Sequence, residues 1–168
     1  MFHSIVVPVD LAEVDLARPA IEHAAQLVRE SGGRMTLVNV VPIMPVMMMD
    51  TVPVSYEAEI AEKAKASLAD LAATVDLPRS QIGTTVRIGG IQHEILAVVK
   101  EERADLILLG SHEPHLSTYL LGCNASAIVR HAHCSVLVLR ERPEQVGGHE
   151  IPAAKLGTAM PATGLPVS

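Results

Sequence analysis

Five short strand-like runs, four of them largely apolar and each cut off by a turn or polar residue, leave this chain few folds to choose from. They are Ser4–Val9, Arg34–Val41, Gln81–Ile88, Asp105–Leu109 and Ser135–Leu139. Several are apolar at successive rather than alternate positions, as in strands covered on both faces. Between them the spacing turns helical. Leu16, Ala20, Ala24 and Leu27 predict a helix over 14–31, stopped by Ser31-Gly32-Gly33 and with Pro19 in its first turn. Ile60, Ala64, Leu68, Leu71 and Val75 predict a second, capped by Ser55, with Glu59 and Lys63 paired on its wet side. A third is expected over 91–103 from Ile91, Ile95, Val98 and Val99, after the break at Gly89-Gly90. A fourth runs to about Ala132. Strands alternating with helices imply a parallel sheet covered on both faces, with right-handed crossovers.

Composition narrows the function classes. The chain has 168 residues, 49% of them hydrophobic, which suits one domain with a closed core. Its formal charge of -6 and 2% aromatic content argue against nucleic acid and anionic membranes as partners. No apolar run is long enough for membrane insertion, and the N-terminus MFHSIVVPVD lacks the basic start of a signal peptide. With Cys123 and Cys134 expected as free thiols, the reading is cytoplasmic. The domain is expected over 1–141, and the Pro-, Gly- and Ala-rich residues 142–168 read as a flexible tail. Met44, Met47, Met48 and Met49, in a loop with several prolines, read as an adaptable cover over the core.

In open α/β sheets, ligands lie beyond the carboxyl ends of the strands where the winding reverses. Pro8-Val9-Asp10 ends the first strand and Leu109-Gly110-Ser111 the fourth, so one crevice would be shared if the two are neighbours. Asp10 suits a sugar hydroxyl or a base amine, and Gly110 allows close approach to the backbone. Gly122-Cys123-Asn124 precedes a helix whose unpaired N–H groups and dipole favour phosphate. There is no G-x-x-x-x-G-K-[ST] and no G-x-G-x-x-G after the first strand, so neither a P-loop nor a dinucleotide fingerprint is present. On the residues alone a plainer reading stands beside this one: a turn at Gly110, a cap at Asn124 and a loop start at Asp10. His112 with His115, and His131 with His133, lack a Cys or carboxylate at zinc spacing, so no metal site is assigned.

The segments DLILLGSH (105–112), LLGCNASAIVR (120–130) and CSVLVLR (134–140), with IVVPVD (5–10) and GIQHEIL (90–96), closely resemble the universal stress protein family. The resemblance runs in order from residue 2 to about 140. It implies a Rossmann-like, adenine nucleotide alpha hydrolase-like three-layer sandwich with a five-stranded parallel sheet of order 3-2-1-4-5. It also implies a nucleotide, ATP or else ADP or AMP, with Mg2+. The family loop has the form G-x-x-G-x9-G-[ST]. Here Gly110 and Gly122 match its outer glycines, Glu113 replaces the middle one, the loop is one residue shorter, and Cys123 replaces Ser/Thr. The form resembles a bacterial subgroup related to the F and G types, which bind nucleotide without the middle glycine. Carried across, Pro8, Val9, Asp10 and Val40 would hold the adenosine end. Leu109, Gly110, Ser111 and His112 would line the ribose and first phosphate, and Gly122, Cys123 and Asn124 the outer phosphates.

The expected function is therefore stress-response regulation or sensing through a bound adenine nucleotide. No general base is in view, so any ATP hydrolysis should be slow and no catalytic residue is assigned. The alternative is an adaptor without nucleotide, acting through a regulatory protein partner. A Cys123 redox switch is a further alternative, since a helix N-terminus favours thiolate. The apolar edge strand 135–140 needs covering, and pairing with a second copy predicts a homodimer.

Overall fold

The computed structural model describes residues 1–43, 56–111 and 123–140. In chain order the elements are β1 (Ser4–Pro8), α1 (Val14–Ser31), β2 (Arg34–Val41), α2 (Tyr56–Ala73), β3 (Ile82–Ile88), α3 (Ile91–Glu101), β4 (Leu106–Ser111), α4 (Cys123–His131) and β5 (Ser135–Arg140). The strands form one parallel sheet in the order β3-β2-β1-β4-β5. Ser55, the methionine loop, residues 112–122 and the tail fall outside the described residues.

The near-continuous apolar runs are explained by the two sides of the sheet. Ile5, Val7 and Val9 of the first run, with Leu37, Leu106 and Leu108, pack against α1 and against Leu68 of α2. Val6, Val38, Ile107 and Leu109 face the other way, onto Ile95, Val98 and Val99 of α3 and Ile128 of α4. Side chains of a strand alternate between faces, so a strand covered on both sides is apolar at most positions. The winding runs outward from β1 to β3 and then returns past β1 to β4 and β5. That reversal places α1 and α2 on one face and α3 and α4 on the other.

Several boundaries differ from expectation, each for a local reason. The buried stripe of α1 is Ala17, Ala20, Ile21, Ala24, Ala25 and Val28, so Leu16 and Leu27 sit at its margins. Pro19 lies inside α1, more than a turn past its start, where it removes one helical donor. The expected pair of Glu59 and Lys63 does not form; Lys65 instead bonds Glu62 at 2.6 Å. α2 stops at Ala73, with Val75 still packed on the core from the turn that follows. α3 ends at Glu101 rather than Arg103, because Arg103 adopts the left-handed conformation at φ 47°. β4 continues through Gly110 and Ser111, expected to open the loop; they pair with Leu139 and Arg140.

Asp105 does more than begin a strand. Its carboxylate accepts the His3 N–H at 2.8 Å and the Ser4 N–H at 3.1 Å, tying the start of β1 to β4.

Candidate nucleotide crevice

A parallel ladder alternates the side to which each residue turns its backbone. In β1, odd residues face β2: the His3 carbonyl accepts Arg34 N–H and Val9 N–H donates to the Val38 carbonyl, both at 2.8 Å. Even residues face β4, as the Ser4 carbonyl shows by accepting Asp105 N–H at 2.9 Å. Pro8 is even, and it has no N–H to give to β4. Pairing between β1 and β4 accordingly runs only over Ile5 with Leu106 and Val6 with Ile107. A single proline thus opens the fork between the two central strands.

The fork on the other side is opened by Asn39. Its side chain is buried, and its amide donates to the Val9 carbonyl at 2.9 Å. In a continuing ladder that carbonyl would accept Val40 N–H. Even residues of β2 direct both backbone groups toward β1, but the β1 chain stays bonded to β2 only as far as the Val9 N–H. The Val40 N–H and C=O therefore face the crevice together, a donor beside an acceptor.

The resulting cavity measures about 520 Å³ and is lined by Pro8, Val9 and Asp10 from the end of β1 and Val38, Asn39 and Val40 from β2. Leu109 and Gly110 of β4 and Asn124, Ala125 and Ile128 of α4 close it. One Asp10 oxygen already accepts Ala12 N–H at 2.9 Å, which leaves the other oxygen toward solvent as a hydrogen-bond acceptor. Of the expected site residues, Pro8, Val9, Asp10, Val40, Leu109, Gly110 and Asn124 converge on this one cavity. Ser111 is the last residue of β4, and Cys123 is exposed at the start of α4. His112, Glu113 and Gly122 lie outside the described residues.

Gly110 has a reason of its own to lack a side chain. A Cβ there would overlap the carbonyl oxygen of Leu16 and stand 3.3 Å from its carbonyl carbon. The helix backbone crosses β4 at the position where a side chain would begin. The sequence does not single out Asn39, because its strand also carries Arg34 and the buried Thr36.

Residues 1–140 match the description "Universal stress protein family". The chain belongs to that family. It is 33% identical over 143 residues to universal stress protein G of Salmonella typhimurium strain LT2, covering 83% of this chain and all of that one. Among solved structures it resembles the universal stress protein UspA of Lactobacillus plantarum, with 26% identity and a TM-score of 0.62 over 82% of this chain and 97% of that one. It also shares its fold, at 19% identity and a TM-score of 0.53, with a universal stress protein described in complex with cAMP; 82% of this chain and 97% of that one are covered. Among the described residues of this family member, no helix is long and apolar enough to cross a membrane.

The two thiols differ in setting. Cys134, just ahead of β5, is partly buried, and burial pushes its pKa up, with the Asp105 charge adding to the rise. A raised pKa leaves less thiolate at any given pH, so alkylation of Cys134 at pH 8 is expected to be slower than that of a free cysteine. Its rate should still be climbing above the ordinary thiol pKa of about 8.5. Mass spectrometry of iodoacetamide-treated protein, read peptide by peptide across pH, checks this. A plateau at or below that pH contradicts it.

Proposed function

We propose that this universal stress protein binds an adenine nucleotide in the crevice and acts as a stress-response sensor or regulator through the bound ligand. The Val40 main chain carries the reading. Its N–H and C=O, side by side and facing the crevice, match the adjacent acceptor and amino donor on an adenine edge. Three features support it: the cavity volume falls among those of small-molecule sites, Asp10 offers an oxygen to a ribose hydroxyl, and the first turn of α4 presents N–H groups toward phosphate. A Mg2+ ion bound with the phosphates would offset their charge near residues 110–124. The description of a relative with cAMP fits the same class of ligand.

Calorimetric titration with Mg-ATP, AMP and cAMP tests the proposal. Saturable heat is expected with at least one of them at or below millimolar concentration, and silence with all three overturns it. In that event the adaptor reading takes over, favoured by Glu113 and Cys123 standing where the family loop has glycine and Ser/Thr. We further propose a homodimer formed through β5, which pairs only with β4 among the described strands. Sedimentation of micromolar protein as a monomer would count against it.

A further inference from the structure

At the opposite end of the sheet from the crevice, the C-terminal ends of α3 and α4 enclose a cleft of about 900 Å³. Leu96, Ala97, Val99, Ala104 and Ala132 make its walls apolar. Lys100, Arg103 and Arg130 bring three permanent positive charges to it, and none of its lining residues is acidic. This is unexpected in a chain with 19 Asp and Glu against 13 Lys and Arg. Of the nearby acids, Glu101 pairs with Arg87 and Glu102 with Arg34 at 2.6 Å, while Asp105 holds the backbone of His3 and Ser4 and keeps its charge beside Cys134. Among the described residues, Lys100, Arg103 and Arg130 make no ion pair.

Cations at helix C-termini complement the helix dipole, but each dipole end carries only about half a charge. Two helix ends and the Asp105 charge beside Cys134 therefore leave a surplus of about one positive charge in the cleft. The backbone adds a second observation. Ala104 N–H bonds the Val99 carbonyl at 2.9 Å and Arg103 N–H the Lys100 carbonyl at 3.2 Å. These are the two bonds of a Schellman ending, whose left-handed position glycine usually fills. Here Arg103 fills it at φ 47°, a conformation that L side chains adopt at a cost. Strain of this kind gathers at functional sites.

We propose that this cleft binds an anionic amphiphile, a carboxylate head on an apolar chain, with the head on Arg103, Lys100 and Arg130 and the chain along Leu96, Val99 and Ala132. Planar guanidinium groups suit a carboxylate, and the apolar walls account for a chain rather than a bare anion. The site is separate from the nucleotide crevice and does not depend on it.

Sodium dodecanoate below its micelle concentration is the probe, titrated by calorimetry with circular dichroism confirming that the protein stays folded. It is expected to bind at least about tenfold more tightly than acetate or dodecyltrimethylammonium, since a charge-assisted contact contributes that much or more. Dodecanoate should also slow alkylation of Cys134, which lines the cleft, while leaving Cys123 reactive. Arg103→Gly relieves the left-handed strain, so it should melt no lower than the parent while binding dodecanoate about tenfold more weakly. Equal binding of acetate, equal binding of the cationic detergent, protection of Cys123 in place of Cys134, or undiminished affinity in Arg103→Gly would each overturn the proposal.

Discussion

Replacing Gly110 with alanine is expected to destabilise the protein by about 3 kcal/mol, the upper part of the usual range for overpacking. The obstacle is not a side chain that could turn aside. It is the main-chain carbonyl of Leu16, fixed within the packed first turn of α1. Either α1 lifts from β4, exposing the stripe through Ala17 and Ala20, or β4 loses its register with β5. Both routes disturb the crevice, because Leu16, Ala17 and Gly110 all line it. Urea denaturation measures the effect as a fall in the midpoint at unchanged slope. Domains of this size are stable by only about 5–15 kcal/mol, so a shift within error would mean that α1 is not held against β4 as described.

Asn39→Ala is the second large effect, expected at about 1–3 kcal/mol from the buried Val9 carbonyl that loses its donor. The substitution tests more than stability. Without the Asn39 amide, the Val9 carbonyl is open to Val40 N–H, the partner that a regular ladder would supply. If Val40 turns to it, one strand pair lengthens by a step and the crevice loses its donor. The proposed nucleotide affinity should then fall together with the urea midpoint. Asn39→Asp makes a useful companion, since a carboxylate beside a carbonyl has no N–H to offer and should be at least as damaging. A fully stable Asn39→Ala protein would mean that the Val9 carbonyl finds another donor or water.

The architecture is legible because four of the five strand runs are largely apolar and alternate with helical spacing, as a doubly covered parallel sheet requires. The limits of β2 are readable in the sequence because Gly32-Gly33 and Pro42 bracket it. Helix ends were harder to place. Nothing in the composition of Glu101-Glu102-Arg103 signals a left-handed residue, since the position was filled by arginine rather than glycine. The turn of α1 by one residue was hidden by its alanines, which serve the buried face and the margin equally well. In the crevice, residues at strand ends could be foreseen from topology. The role of Asn39 could not, because it depends on which way an odd-numbered side chain turns beside a strand that has just ended. Gly110 was foreseen for the space it leaves a ligand, whereas the space beside it is filled by Leu16.

The outward-turned peptide groups of Val40 have an evolutionary corollary. A contact made by the polypeptide itself, as proposed for the nucleotide, would survive exchange of the attached side chain, so substitution could proceed around it without erasing that binding. What would erase it is an insertion or deletion that shifts where the neighbouring strand departs.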